Sequence, residues 1–392
     1  MKGLEYELEV LSKLISFNTD AVTKKEYGQC AEYLKHECEK LGFDTRIVDP
    51  KEITNDGISR PSVIAKLDIG AKKTVALAMH FDVVPPGVGW TKDPFKLTIE
   101  GNVAYGRGVV DDKGNIATAL GALREVRDKL NYNVVLFLTP EEEVGGKLGM
   151  GYAVQNFEEK IDEVLVLDAG NEYISIGASG VVFGEIKVYG EQGHAGYPFK
   201  YRNAVHDLLR LGYHLLNFAD YRALKISKLR APAGGPIENN YGRFSITIVR
   251  GGEKENIIPG EAYLRFDMRL IPEENSELAV QELKSYLTTL SNKLGIKAEL
   301  TTLEGLGSNY YSDPNSDAVR KFKNIAEKIM GKELEVVTEF GGNDGRFFSK
   351  YDAPIISFGL AKEGTRYHGP DEFLELEDMR KLKKILIEYL SS

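Results

Sequence analysis

Two polar residues end an otherwise apolar stretch near residue 80, and their types and spacing could serve chemistry. The stretch TVALAMHFD, residues 74–82, is apolar enough for a buried strand up to Met79 and then presents His80 and Asp82. Residues two apart share one face of a strand, so the two side chains would lie together at its carboxyl end. Open α/β sheets bind ligands at that end. The pair is therefore either a satisfied hydrogen bond in the core or part of a site.

Further acidic residues and a second histidine follow other predicted strands or occupy loops. They are Asp111 and Asp112 in YGRGVVDDKGN, Glu141, Glu142 and Glu143 after VVLFLTP, Asp168 after EVLVL, and His368 in RYHGPDEF. Each has an ordinary reading alone, such as a helix cap for an aspartate or a solvated loop for the glutamates. Gathered in one crevice, with only Lys113 nearby in sequence, these carboxylates would repel one another strongly at low dielectric. Bound cations would resolve that repulsion.

The ligand types indicate which cation. Imidazole combined with carboxylate favours zinc, with Co²⁺ or Mn²⁺ as substitutes, because magnesium and calcium prefer all-oxygen ligand sets. Two histidines and three carboxylates are too many for one tetrahedral zinc ion and fit two ions that share a carboxylate. Two zinc ions would balance Asp111, Glu143, Asp168 and one neighbouring glutamate. A water shared by two such ions ionises near neutral pH, which is the chemistry of a hydrolase.

The elements that must position these residues follow two patterns along the chain. The outer parts alternate apolar strands with helices, which predicts a mostly parallel, covered sheet. From about residue 178 the order becomes strand, helix, strand, strand, helix, strand, the signature of a ferredoxin-like βαββαβ domain. We therefore predict an α/β protein whose catalytic domain comprises residues 1–178 and 304–392, with a ferredoxin-like domain inserted at residues 179–303.

Composition excludes several classes of partner. The 392 residues favour two domains, and 50 basic against 59 acidic residues give a formal charge of −9. That charge argues against nucleic acid or an anionic membrane as the main partner. Cys30 and Cys38 lie eight residues apart in a helical pattern, roughly 12 Å and too far for a disulfide. Glutamates interrupt the start of the chain, and no apolar run approaches the ~20 residues of a membrane span. We expect a soluble cytoplasmic protein.

Taken together, eight motifs resemble a di-zinc amidohydrolase family. They are HFDVVP, YGRGVVDDKG, TPEEEVGG, VLVLDAGN, GEQGHAGYP, ENIIPGEAYLRFDMR, GGNDGRFF and YHGPDEF. The family includes succinyl-diaminopimelate desuccinylase, acetylornithine deacetylase, aminoacylase, glutamate carboxypeptidase, and di- and tripeptidases. The resemblance spans nearly the whole chain and implies hydrolysis of the amide bond of an N-acyl amino acid, of the N-succinyl-diaminopimelate or N-acetyl-ornithine type. It also implies that the inserted domain acts as a lid and dimerisation domain.

The resemblance implies a role for each metal ligand. His80 and Asp168 would hold one zinc ion, Glu143 and His368 the other, and Asp111 would bridge the two. Each subunit would thus bind two zinc ions.

It also implies how the ligands are supported and which residue moves the proton. Asp82 would orient the imidazole of His80, a role that their shared strand face already allows. Glu142 would act as the general base that takes a proton from water and delivers it to the leaving nitrogen. The peptide bond between Asp111 and Asp112 would be cis.

Further residues of the motifs match positions that contact the substrate in the family. His194, between glycines in GEQGHAGYP, would reach the active site of the other subunit and stabilise the tetrahedral oxyanion, which implies a homodimer. Asn256, Arg269 and Arg346 would bind substrate, and an arginine fork suits a substrate carboxylate. For Arg269 an ion pair on the sheet of the inserted domain is the alternative.

Some features leave the substrate open and disfavour other functions. Ala178 and Ser179 stand where bacterial desuccinylases have an arginine doublet, and GGNDGRFF is shorter than the usual form, so a di- or tripeptidase is the main alternative. A nucleotide-dependent oxidoreductase is disfavoured because Asp111 replaces the third glycine of the dinucleotide fingerprint and would repel pyrophosphate. A non-catalytic metal- or peptide-binding relative would not need Glu142 beside Glu143.

Overall fold

The chain forms two compact units in the computed structural model, which describes residues 3–303 and 307–392. The first unit comprises Met1–Gly177, Ser312–Val337 and Asn343–Ser392, and the second comprises Ala178–Tyr311 and Thr338–Gly342. The domain bounds predicted from sequence differ from this division at Ala178, at residues 307–311 and at residues 338–342, all of which belong to the second unit. The boundary predicted at residue 304 lies outside the described residues. Residues 338–342 group with the second unit because Asn240 Nδ2 donates to the carbonyls of Thr338 (3.3 Å) and Glu339 (3.0 Å). The assignment of a catalytic and a lid role to the two parts stays a prediction.

The helices and strands follow in chain order. Those that precede the second unit are α1 (Glu5–Ser16), α2 (Tyr27–Lys40), β1 (Asp44–Val48), β2 (Ser62–Leu67), β3 (Thr74–His80), β4 (Thr98–Glu100), β5 (Val103–Tyr105), α3 (Lys113–Val126), β6 (Asn133–Thr139), α4 (Tyr152–Gln155), β7 (Glu163–Val166) and β8 (Ile174–Ala178). The next are β9 (Gly180–Tyr189), β10 (Gly193–His194), α5 (Ala204–Ala223), β11 (Ile226–Arg230), β12 (Asn239–Tyr241), β13 (Arg243–Gly251), β14 (Ile257–Ile258), β15 (Glu261–Leu270), α6 (Ser276–Leu294), β16 (Lys297–Thr302) and β17 (Tyr310–Tyr311). The last are α7 (Asp317–Met330), β18 (Val336–Glu339), β19 (Ile355–Ser357), β20 (Phe373–Glu375) and α8 (Leu376–Ser391). Among the described residues, no helix has the length and apolar character that crossing a bilayer requires.

Four parallel strands, in the order β6, β3, β7 and β19, form the centre of the sheet in the first unit. Antiparallel β2 and β1 extend the sheet beyond β6, and antiparallel β8 lies beyond β19. Residues 75–79 of β3 and 134–138 of β6 are apolar and almost fully buried, as expected for parallel strands that are covered on both faces. The predicted α/β fold with a mostly parallel central sheet is confirmed.

The second unit has a four-stranded antiparallel sheet in the order β13, β15, β9, β16. Every second residue of β15 is buried, which is the pattern of a sheet with one covered face. Residues of α5 such as Leu211 and of α6 such as Leu283 pack with Phe266 of β15 in one apolar core. The order strand, helix, strand, strand, helix, strand and this sheet order are those of the predicted ferredoxin-like arrangement.

The first turn of α3 packs so closely on the preceding loop that only glycine fits at residue 114. A Cβ on Gly114 would lie 1.9 Å from the carbonyl oxygen of Val109. Gly114→Ala should therefore lower the free energy of unfolding by about 1–3 kcal/mol, the usual cost of overpacking. Urea denaturation of the purified variant measures this change.

A second helical glycine provides the matched control. Nothing lies within 4 Å of a Cβ placed on the exposed Gly28 of α2, so Gly28→Ala should raise the free energy of unfolding by about 0.5–1 kcal/mol through its helix propensity. Equal effects of the two substitutions would contradict the close contact at Gly114.

Candidate metal centre

The carboxyl ends of three parallel strands bring the predicted site residues of the first unit together. His80 at the end of β3 is in register with Thr139 of β6, and Ala78 with Val166 of β7. The loops that follow these strands therefore begin at the same edge of the sheet. One loop carries Asp82, the next Glu142 and Glu143, and the third Asp168.

The first ligand cluster consists of His80, Asp111 and Asp168. His80 Nε2 lies 3.0 Å from Asp111 Oδ1 and 3.8 Å from Asp168 Oδ2. The imidazole of His80 is almost fully buried, whereas the two carboxylates keep some exposure. The exposed side of the cluster is thus formed by oxygen atoms that a metal ion could reach.

The second ligand cluster consists of Asp111, Glu143 and His368. His368 Nε2 lies 2.9 Å from Asp111 Oδ2 and 3.1 Å from Glu143 Oε2. Asp111 therefore presents Oδ1 to the first cluster and Oδ2 to the second. A carboxylate in this position can bridge two metal ions.

The spacing of these donor atoms fits zinc. Zinc–ligand bonds of about 2.0–2.1 Å in a tetrahedron place neighbouring ligand atoms about 3.3 Å apart. The measured separations between histidine nitrogens and carboxylate oxygens, 2.9 to 3.8 Å, bracket that value. Each cluster also combines one imidazole with two carboxylates, a ligand set that suits zinc or a first-row neighbour.

The pKa values of the two histidines also indicate that the carboxylates of the clusters require positive charge between them. Burial lowers the pKa of His80, but hydrogen bonds to Asp111 and Asp82 outweigh it and hold the pKa well above its usual value. Hydrogen bonds to Asp111 and then Glu143 raise the pKa of His368 to about 10. Without metal ions, both imidazoles therefore hold protons between carboxylates. Lys113 does not supply this charge, since its ammonium donates to the carbonyl of Phe17 at 2.9 Å.

Burial acts in the opposite direction on the acids of the site. It raises the pKa of Asp168 to about 7 and raises the pKa of Glu143. The pKa of Glu142 is raised well above its usual value by burial first and then by the negative charges of Asp168 and Asp344. A carboxyl group with a raised pKa is suited to exchange protons near neutral pH.

Asp82 holds both the histidine and the glutamates of the site. Its Oδ1 lies 3.3 Å from His80 Nδ1, and its own carbonyl oxygen lies 3.0 Å from the same nitrogen. Oδ1 also accepts the backbone N–H of Glu142 at 3.1 Å, and Oδ2 accepts that of Glu143 at 3.2 Å. Asp82 is thus a satisfied buried acid that lies against a candidate ligand, and its role in a site stays a prediction.

Glu141 anchors the turn that carries Glu142 and Glu143, a function that the sequence alone did not assign to it. It has a left-handed backbone with φ 74°, which is costly for a residue other than glycine. Its buried carboxylate accepts Arg60 Nε at 3.0 Å and pairs with the ammonium of Lys24. In the sequence, only the run of three glutamates pointed to Glu141. Its partners Arg60 and Lys24 come from distant parts of the chain.

Asp112 and Glu372 form hydrogen bonds that hold the loop before α3. The sequence did not identify either of them as a supporting residue. The peptide bond between Asp111 and Asp112 is cis, as predicted. Asp112 Oδ2 accepts the backbone N–H of His80 at 3.0 Å, and its Oδ1 accepts Asn115 Nδ2 at 2.6 Å. Glu372 accepts backbone amides on the other side of the loop. Its position four residues after His368, within the motif YHGPDEF, was the available signal.

Asp344 is a further buried acid near Glu142 and Asp168. Burial raises its pKa to about 6, and neither carboxylate oxygen has a hydrogen-bond partner in the described part of the chain. Arg346, predicted to bind substrate, lies in the same helical turn and its Nη2 donates to the carbonyl of Gly145 at 2.6 Å.

The other predicted site residues belong to the second unit. The short pairing of β10 with β14 sets His194 opposite Ile257, and Ala195 N–H donates to the carbonyl of Asn256 at 3.0 Å. The side chains of His194 and Asn256 are both exposed. Arg269 forms two hydrogen bonds with Asp267, at 2.8 and 2.9 Å, which is the ion pair weighed above as its alternative role.

The chain matches known metallohydrolases along almost its whole length. The sequence profile of peptidase family M20/M25/M40 matches residues 76–392. An uncharacterized metallohydrolase of Methanococcus maripaludis is 26% identical over 422 residues, with 99% of each chain covered. A succinyl-diaminopimelate desuccinylase of Wolinella succinogenes is 25% identical over 392 residues, with 98% of each chain covered.

Solved structures share the fold. An M20 family metallo-carboxypeptidase of Sulfolobus solfataricus superposes with a TM-score of 0.80 at 23% identity, and the match covers 99% of each chain. A di-peptidase of Saccharomyces cerevisiae superposes with a TM-score of 0.74 at 18% identity, covering 98% of this chain and 95% of the other.

The bridging position of Asp111 leads to a prediction about metal content. Each zinc ion bound at 100 times its dissociation constant should raise the free energy of unfolding of the native chain by about 2.7 kcal/mol. Asp111→Asn keeps one carbonyl oxygen but loses the second, so it should bind one zinc ion fewer and lose part of this stabilisation. Elemental analysis after dialysis, together with thermal unfolding, measures both.

Asp317→Asn serves as the control, because Asp317 is exposed on α7 and pairs only with Arg320 among the described contacts. It should keep the metal content of the native chain. Full zinc content in Asp111→Asn would rule out the bridge.

Proposed function

Because this chain belongs to peptidase family M20/M25/M40, we propose that it uses two zinc ions to cleave the amide bond of an N-acyl amino acid. Membership makes the chain a metal-dependent hydrolase and confirms the resemblance read from its motifs. The observation that carries the proposal is the pair of ligand clusters joined by Asp111. N-succinyl-diaminopimelate and N-acetyl-ornithine are the proposed kinds of substrate, supported by a desuccinylase relative that aligns over 98% of this chain.

His80 and Asp168 would hold one zinc ion, Glu143 and His368 the other, and Asp111 would contact both. Ions at these positions supply Lewis acidity, which polarises the amide carbonyl and lowers the pKa of a water molecule.

Glu142 performs the proton transfers in this proposal. Its carboxylate takes a proton from the attacking water and delivers it to the leaving nitrogen, so that one water and one amide yield a carboxylic acid and an amine. The hydrogen bond from its backbone N–H to Asp82 fixes the base beside Glu143. The raised pKa of Glu142 supports this role, because a carboxyl group with a raised pKa holds a received proton more readily than an ordinary carboxyl group does.

His194 stabilises the oxyanion in the active site of a second subunit. Its Nδ1 accepts the backbone N–H of Gly196 at 2.9 Å, so the neutral ring carries its proton on Nε2 and can donate it. The homodimer that this requires is supported by an exposed apolar stripe on α5. Leu209, Tyr213 and Leu216 are spaced along one helix face and are 60%, 70% and 54% exposed.

Asn256, Arg269 and Arg346 complete the proposed substrate contacts. Arg269 and Arg346 already have partners, but a guanidinium has five N–H donors and retains some for a substrate carboxylate. The cytoplasmic location stays a prediction.

A di- or tripeptidase is the second candidate. The absence of an arginine doublet at Ala178 and Ser179 favours it, since a succinyl carboxylate would lack that pair of guanidinium groups. The likeness in fold to a di-peptidase and to a metallo-carboxypeptidase is compatible with it.

The zinc-loaded chain should release primary amine from N-succinyl-L,L-diaminopimelate or N-acetyl-L-ornithine. Glu142→Gln should lose about 10²–10⁴-fold in turnover, as expected for a lost general base, while keeping both zinc ions. Glu377→Gln, at a half-exposed position on α8, is the control and should retain native turnover.

The pattern of activity separates the candidates. Cleavage of dipeptides without cleavage of either acyl substrate would favour the peptidase. Near-native turnover of Glu142→Gln would remove Glu142 from the mechanism.

His194→Ala should lower turnover, with zinc content and dimer mass unchanged. The reason is that the imidazole is exposed and belongs to the second unit, whereas the two ligand clusters belong to the first. Mixing His194→Ala with Glu142→Gln should restore part of the activity, because one active site of each mixed dimer then receives an intact His194 and an intact Glu142. No recovery after verified exchange of subunits would contradict action across the dimer.

A further inference from the structure

We propose that Glu372 is a positioning residue for the second metal position, the one formed by Asp111, Glu143 and His368. The inference rests on the proposed two-metal function and concerns how this chain holds two of its ligands in place. Asp111 and His368 are 257 residues apart in sequence (368 − 111), and each lies in a loop. The side chain of Glu372 connects the two loops next to the paired strands β5 and β20.

Glu372 accepts hydrogen bonds from four backbone N–H groups of the loop that carries Asp111. Its Oε2 accepts the backbone N–H of Gly108 at 2.9 Å, and its Oε1 accepts those of Val110 at 2.9 Å and Asp111 at 3.3 Å. Its own carbonyl oxygen accepts the N–H of Gly106 at 3.2 Å. A carboxylate that satisfies several amides at once fixes the path of the loop up to the bridging ligand.

The negative charge of Glu372 is balanced by a neighbouring guanidinium group. Its side chain is completely buried, and Arg107 Nη1 lies 2.7 Å from Oε2. The guanidinium of Arg107 also lies over the ring of Trp90, 5.2 Å from the centroid. Buried charges are retained only when they are paired and hydrogen-bonded, so this carboxylate has a defined position.

The loop that carries His368 is strained and needs an anchor. Arg366, His368 and Asp371 all have a left-handed backbone, with φ 57°, 62° and 53°. Each such residue costs on the order of 1–3 kcal/mol unless its surroundings enforce the conformation. Glu372 directly follows this strained segment and enforces it from one end. Asp371, at the same end of the segment, is held as well, because its Oδ1 accepts the N–H of Thr91 at 2.8 Å.

Glu372 therefore joins the two loops beside the pairing of β5 with β20, in which Phe373 lies opposite Tyr105, and the metal position depends on the spacing of the loops. His368 Nε2 and Asp111 Oδ2 lie 2.9 Å apart, and a shift of about 1 Å would move them beyond the separation of about 3.3 Å that a tetrahedral zinc ion favours. Supporting residues around metal ligands typically change metal affinity by about 10–100-fold when they are altered.

Glu372→Gln tests the inference, because the side-chain NH₂ group of glutamine would face backbone N–H groups and could not accept their hydrogen bonds. The full-length chain is stripped of metal with a chelator and titrated with Co²⁺, followed by visible absorption and by calorimetry. We expect two ions to bind the variant, one with native affinity and one about 10–100-fold more weakly, with an altered absorption spectrum. Glu372→Asp keeps the charge on a shorter side chain and should show the same defect if Glu372→Gln fails to fold.

Two matched variants separate positioning from stability. Arg107→Gln breaks the same buried ion pair but leaves the carboxylate hydrogen-bonded to the loop amides, so it should lower the unfolding temperature with Co²⁺ affinity retained. Glu375→Gln changes a more exposed carboxylate three residues later, paired with Lys362, and should change neither.

The outcomes are distinct. Native affinity for both ions in the folded Glu372 variants, or an equal loss in Arg107→Gln, would overturn the positioning role while leaving the two-metal function standing. Fewer than two Co²⁺ ions bound by the native chain would overturn both.

Discussion

Mutual repulsion among carboxylates at one edge of the sheet is the constraint around which the first unit is built. Asp111, Glu143 and Asp168 lie within reach of two imidazoles, and in the absence of metal those imidazoles retain protons. Positive charge is thus required between the acids whichever cation supplies it. The parallel strands make the concentration possible, because their carboxyl ends and the loops that follow share one edge.

The supports of this centre are themselves acidic. Asp82, Asp112, Glu141 and Glu372 each hold a segment of backbone or a cationic side chain next to a ligand. Their charges are met by backbone N–H groups and by Lys24, Arg60 and Arg107, and Asp82 also contacts the imidazole of His80. A carboxylate can accept several hydrogen bonds in a fixed geometry, so one residue can define a whole turn. Carboxylates thus serve both as candidate metal ligands and as the residues that hold those ligands in place.

The sequence predicted those features that depend on local pattern. Apolar strands ending in acids or histidine, such as TVALAMHFD, placed His80 at the sheet edge because strand periodicity and strand ends are local properties. The order of elements likewise predicted the ferredoxin-like arrangement. The roles of Glu141 and Glu372 were missed because their partners are backbone amides and cations from distant segments, which no spacing in the sequence indicates. The pairing of Arg269 with Asp267 is local, and it was foreseen only as an alternative.

The insertion of the second unit within the first fixes the order in which the molecule can be completed during synthesis. The four main strands of the inserted sheet lie between residues 180 and 302, so that sheet can form as soon as this segment has left the ribosome. The sheet of the first unit still lacks β19 at that point, and its second imidazole, His368, follows later still. A nascent chain can therefore complete the inserted sheet while His368 is still missing, so the second metal position cannot form before His368 has been synthesised.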